Sequence, residues 1–136
     1  MKSIEYYHEL KRQLQLQFDQ EHDSIAQAAR LMSECIAHDG LIHVFGSGHS
    51  QMFAMELFYR SGGLVPINAL LYPQMSIVPV AMMSTMFERM EGFAKASLKL
   101  ENITPHDIMI VASVSGRNGS TIDMVLAAKE LGMQVI

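Results

Sequence analysis

The segment Asp107-Ile108-Met109-Ile110-Val111-Ala112, continuing as Ser113-Val114-Ser115-Gly116-Arg117-Asn118-Gly119-Ser120-Thr121, decides the fold. After Asp107 the first part is apolar without alternation, the pattern of a parallel strand covered on both faces. The second part is rich in hydroxyls and glycine and reads as a loop. Ile122, Val125 and Leu126 then give a helix over residues 122–131, closed by Gly132. Met133-Gln134-Val135-Ile136 opens a further strand.

The same order occurs upstream. Leu41-Ile42-His43-Val44-Phe45 is a short apolar strand, Gly46-Ser47-Gly48-His49-Ser50 a loop, and residues 50–61 a helical pattern ended by Gly62-Gly63. Residues 64–71 predict a second strand, weakened by Pro66, and residues 76–100 a helical stretch with Pro79 tolerated near its start. Residues 3–38 read as helix. Its apolar stripe runs through Ile4, Tyr7, Leu14 and Phe18, then Ile25, Ala28, Ala29, Met32 and Ile36. Asp19-Gln20-Glu21-His22-Asp23 can divide it, with Asp23 or Ser24 capping a second piece, and Gly40 is expected to supply the left-handed stop.

Strands alternating with helices predict an α/β fold: a three-layer parallel sheet with helices on both faces and right-handed crossovers, preceded by N-terminal helices. The expected organisation is a helical segment at 1–40 and an α/β domain at 41–136. A parallel strand at Val135-Ile136 without its following helix would leave one sheet face uncovered, so the domain reads as truncated, its C-terminal part missing. The alternative is a natural edge strand.

Composition narrows the function. Of 136 residues 49% are hydrophobic and 18% charged, which excludes a disordered chain, and a net charge of −4 with no run of Lys and Arg argues against nucleic acid as a partner. The lone Cys35 cannot form an intrachain disulfide and fits a reducing compartment. Lys2 and Glu5 stand where a signal peptide would have its apolar core. Residues 61–87 hold no charge, but Pro66, Pro73 and Pro79 break them, so strand, turn and helix fit better than a membrane span. A soluble, cytoplasmic protein with no membrane partner is expected.

Both loops follow strands and open helices, where open α/β sheets bind ligands. Glycines allow close backbone approach to an anion, and a helix N-terminus offers unpaired N–H groups. Ser47 and Ser50 in the first loop, and Ser113, Ser115, Asn118, Ser120 and Thr121 in the second, can hydrogen-bond phosphate oxygens. Neither loop has the Gly-Lys-Ser/Thr of a nucleotide-binding P-loop, and Gln51 stands where a dinucleotide fingerprint needs its third glycine. Each loop alone could be an ordinary strand-to-helix turn. Together they look like a phosphate clamp without a metal.

Those loops, with Gly-x-Gly-His-Ser-x-Met-x-Ala-x-Glu-Leu-Phe-Tyr-Arg-x-Gly-Gly-Leu over residues 46–64, resemble the SIS (sugar isomerase) phosphosugar-binding domain, in its phosphoheptose-isomerase-like subfamily. The resemblance covers the chain from the N-terminal helix to Ile136. It implies a flavodoxin-like fold with a five-stranded parallel sheet, a homodimer or higher homo-oligomer, and a phosphorylated sugar as ligand. On matching positions it implies that Ser47 and Ser50, with Gly46 and Gly48, contact ligand. Ser113, Ser115, Gly116 and the turn Asn118 to Thr121 would hold phosphate. Val114 departs from a frequent hydroxyl residue, and Asn118 stands where Ser or Thr is common.

Aldose–ketose isomerisation moves a proton between adjacent carbons through an enediol and needs a base. Glu56, beside Met52, Phe53, Leu57 and Tyr59, is the first candidate if partly buried, since burial would raise its pKa. An exposed i,i+4 pair with Arg60 is the alternative. His49 can contact ligand or shuttle a proton, or simply cap the helix. His43 reads as a core histidine, Arg117 as the better of two cations for ligand charge, and Glu88 and Glu91 as solvent-facing. No histidine pair has metal-ligand spacing, and neither a metal nor a cofactor is expected. The readings are a sugar-phosphate isomerase or a non-catalytic phosphosugar-sensing module.

Overall fold

The computed structural model describes residues 2–136. It divides into two compact units, the first ending at Leu31 and the second spanning Met32–Ile136.

The N-terminal helical stretch is two helices, α1 (Lys2–Gln20) and α2 (His22–Ala37), so the polar run does divide it. In α1 the stripe residues Ile4, Tyr7, Leu14 and Phe18 are all exposed. The last turns of α2 belong to the second unit and bring Cys35 into its core. The chain then turns through Asp39, not Gly40, in the left-handed conformation (φ 57°). Asp adopts this region more readily than most residues. Gly40 is needed for space: a Cβ there would land on the His106 carbonyl and lie 2.9 Å from Cys35 Sγ.

In the second unit β1 (Ile42–Gly46), β2 (Ile67–Ala69), β3 (Ile108–Ala112) and β4 (Gln134–Val135) form one parallel sheet in the order β2-β1-β3-β4. Successive residues point to opposite faces. Ile42, Val44 and Ile108 join Cys35, Ala54 and Ile67 in one core. Phe45 and Met109 join Leu98, Met124 and Ala128 in the other. Helix α3 (Gln51–Leu57) and the end of α2 cover the first face, and α5 (Phe93–Leu98) and α6 (Gly119–Glu130) cover the second. The three-layer α/β arrangement is as expected, with four strands among the described residues.

Four boundaries differ from expectation. Helix α3 stops at Leu57 rather than running to Gly62-Gly63, because Phe58 is extended and Tyr59 takes φ 49°. Strand β2 begins only after Pro66, which has no N–H for a ladder. The stretch 76–100 contains two helices, α4 (Ala81–Glu88) and α5, because Gly92 takes φ 82° between them. Helix α6 begins at Gly119 rather than Ile122, since the Asn118 carbonyl accepts from the Thr121 and Ile122 N–H groups, each at 3.1 Å.

Candidate functional site

Strands β1 and β3 are neighbours, and Gly46 pairs with Ala112 at their carboxyl ends. The two hydroxyl-rich loops therefore leave the sheet side by side. The first doubles back at once: the Ser50 N–H donates to the Ser47 carbonyl at 3.1 Å, and a Cβ on Gly46 would overlap the Ser50 carbonyl. Gly48 takes φ 58°, where a side chain would be strained. Ser47 and Ser50 are half-buried and neither side chain caps a helix. His49 is exposed.

The second loop is braced by its own serines. Ser113 Oγ accepts from the Gly116 N–H at 3.0 Å and Ser115 Oγ from the Arg117 N–H at 3.4 Å, while Gly116 takes φ 62°. Arg117 is exposed and Val114 fully so, so that residue's missing hydroxyl faces solvent. Asn118 is extended and its side chain makes no capping bond. The first turn of α6 holds Gly119, Ser120 and Thr121; the Asn118 carbonyl takes the Thr121 N–H, and the Gly119 and Ser120 N–H groups have no partner within the helix. Ser120 and Thr121 are buried, and neither hydroxyl has a hydrogen-bond partner. Most buried hydroxyls are paired, so two unpaired ones in one helix turn set this spot apart from the rest of the core. Ser113, Gly116 and Thr121 also edge a hollow of about 400 Å³ whose remaining lining is apolar, from β3, α6 and β4.

Helix α4 closes the space between the loops. A Cβ on Gly119 would sit 3.1 Å from the Arg89 carbonyl, so α4's end presses on the second loop. At the residue just before Arg89, Glu88 Oε2 accepts from Ser47 Oγ at 3.4 Å. Glu88 is half-buried rather than solvent-facing, whereas Glu91 is exposed. The signal for Glu88 was its spacing from Ser84, one helical turn back on the same face.

Glu56 is not brought to these loops. Its side chain is 67% exposed and ion-paired with Arg60, so the expected partial burial is absent. It edges a hollow with Met32, Leu57 and Ile67, which belong to neither loop. Arg60 is occupied by the same pair.

His43 is a core histidine, as expected. Its Nε2 lies 3.0 Å from Asp107 Oδ2 and its Nδ1 3.0 Å from Asn68 Nδ2, which also donates to Glu101 at 3.1 Å. Asp107 accepts in addition from the Leu41 N–H and from the Thr104 N–H and hydroxyl. Burial pushes its carboxyl up, but these donors outweigh it and hold the pKa down at about 2. Tyr72 ends up well above its usual value through burial and the nearby Glu101.

Among the described residues no cluster of three or more His, Cys, Asp or Glu could hold a metal ion. No helix among them is long and apolar enough to cross a membrane.

Comparison with known proteins agrees with the fold. A UPF0309 protein of Geobacillus kaustophilus is 39% identical over 132 residues, 97% of this chain and 53% of the relative. A UPF0309 protein of Listeria monocytogenes serotype 4b is 42% identical over 118 residues, 87% of this chain and 48% of the relative. The chain thus spans about half the length of these curated relatives. Among solved structures, phosphoheptose isomerase GmhA from Neisseria gonorrhoeae shares the fold, with a TM-score of 0.66 at 23% identity over 98% of this chain and 71% of that one. The SIS domain model matches residues 5–136, and the chain belongs to the SIS domain family.

Proposed function

We propose that this chain binds a phosphorylated sugar across its two loops and, within the whole protein, isomerises it between aldose and ketose through an enediol. The observation that carries the reading is the first turn of α6, where the buried hydroxyls of Ser120 and Thr121 lack partners beside the unpaired N–H groups of Gly119 and Ser120. Family membership supports a phosphosugar as the ligand class, as does the phosphoheptose isomerase activity in the structural neighbour's name. Phosphate sits at the second loop, held by Ser113, Ser115, Gly116, Asn118, Ser120 and Thr121 with Arg117 neutralising charge. Gly46, Ser47, Gly48 and Ser50 contact the sugar. His49, exposed within the first loop, is better placed as proton carrier than Glu56, which Arg60 engages outside both loops. The exposed stripe of α1 supports assembly as a homodimer, and the single cysteine a cytoplasmic setting.

The test is a thermal-melt series with three- to seven-carbon aldose and ketose phosphates, with free sugars and inorganic phosphate as controls. A selective rise with a sugar phosphate is expected, because a ligand that binds only the native state stabilises it. A melt indifferent to every phosphate ester overturns the reading. Conversion of the bound aldose phosphate to its ketose then separates an isomerase from a sensor.

A further inference from the structure

The clamp just proposed contains a group that does not belong in an anion site. Glu88 ends α4 half-buried, with Oε2 3.4 Å from Ser47 Oγ, inside the loop that opens the site. Above Gly48, the position where a Cβ would stand lies 3.9 Å from Glu88 Oε2 and 4.0 Å from Ser84 Oγ. That place is therefore open to a ligand and bordered by polar oxygens. Among the described residues no cation is ion-paired with Glu88, and Ser47 is its hydrogen-bond donor. An ionised carboxylate accepts about four hydrogen bonds, so most of its capacity is open.

Resting on the phosphosugar reading, we infer that Glu88 is the residue that reads the sugar's hydroxyls and fixes which way round the ligand lies. Two anions repel, the more so where water is partly excluded, so phosphate avoids the Ser47–Glu88 side. The α6 N-terminus offers it N–H groups and a partial positive charge instead. The uncharged end of the ligand then faces Glu88, where each hydroxyl can donate to a carboxylate, an interaction stronger than one between neutral groups. Glu88 thereby rewards a polyhydroxylated ester and penalises bare phosphate. The close approach of the Arg89 carbonyl to Gly119 fixes the end of α4 against the second loop, so the distance between hydroxyl reader and phosphate site is set by packing.

The experiment compares Glu88→Ala and Glu88→Gln with the parent chain, titrating the best sugar phosphate of the panel, methyl phosphate and inorganic phosphate by calorimetry. Glu88→Ala is expected to weaken the sugar phosphate by about tenfold or more, as for loss of a hydrogen bond to a charged group. Methyl phosphate and inorganic phosphate should bind unchanged or tighter, with Glu88→Gln intermediate. An equal loss for all three ligands, or none for any, overturns the assignment while leaving the clamp standing. If the parent chain itself binds no phosphate ester, the clamp fails and this inference falls with it. Ligand-free melting of each variant separates a binding defect from an unfolded chain.

Discussion

His43 Nε2 and Asp107 Oδ2 lie 3.0 Å apart with both side chains 1% exposed, at the end of the sheet opposite the two loops. With Asn68 and Glu101 they extend a chain of polar contacts from the sheet interior to a half-buried carboxylate. Such a buried network is costly when one member is removed. Its place makes it a brace for the β1–β3 pair, away from the two loops.

Asp107 gives the fold an acid limit. Its carboxyl is held at about 2, below the ordinary value near 3.8, so its contribution is complete above the unfolded-state pKa. It fades as pH falls from about 5 toward 2, and amounts to about 2 kcal/mol. Urea denaturation from pH 7 to pH 2.5 should show that loss in the parent chain. Asp107→Asn should be less stable at neutral pH and flatter through the acid range. An identical pH slope in both proteins would refute the assignment.

Ser120 separates stability from binding. Its hydroxyl is buried without a partner, so Ser120→Ala removes an unpaid desolvation and the ligand-free melting point should hold or rise by a few degrees. The stabilisation by sugar phosphate should shrink in the same variant. A lower melting point with an undiminished ligand shift would mean the hydroxyl serves the fold.

Glycines 46 and 62 should respond very differently to alanine. At Gly46 a Cβ would overlap the Ser50 carbonyl, and Gly46→Ala should cost about 2 kcal/mol or more as well as opening the first loop. At Gly62, with φ 75° and open space, Gly62→Ala should cost only about 1 kcal/mol from backbone strain. Denaturant midpoints for the pair give the comparison, and equal costs would contradict the crowding at Gly46.

Glu56 offers a negative prediction. It and Arg60 are both mostly exposed, so Glu56→Gln should change stability by no more than about 0.5 kcal/mol. Sugar-phosphate affinity should also be unchanged. A large loss of affinity would return Glu56 to the site.

How much of this could be read from the chain divides along local and non-local physics. Strands β1 and β3 were legible because their apolar runs are uninterrupted, and both loops because glycine and hydroxyl residues follow at once. The division of 76–100 had a local sign in Gly92 that helical periodicity concealed. Gly40 was recognised as special for the wrong reason. Its constraint is the His106 carbonyl, far along the sequence, and Asp39 carries the left-handed turn. Asp107 looked like the start of a strand, and its partners Leu41 and His43 arrive only when β1 docks beside β3. Glu88 and Glu56 exchanged environments for the same reason. What surrounds a side chain on a short helix depends on what that helix packs against.

The crowding of Cys35 beside Gly40 has an experimental use. The thiol is 3% exposed, and burial, reinforced by the Asp107 charge, raises its pKa above the ordinary value. Only a thiolate reacts readily with alkylating or disulfide reagents, so labelling must wait until the last turns of α2 lift from the sheet. It is also the chain's single cysteine. The unmodified protein therefore carries one chemical clock for the opening of that face, and its rate with and without a sugar phosphate would time how far ligand binding tightens the sheet from the opposite end.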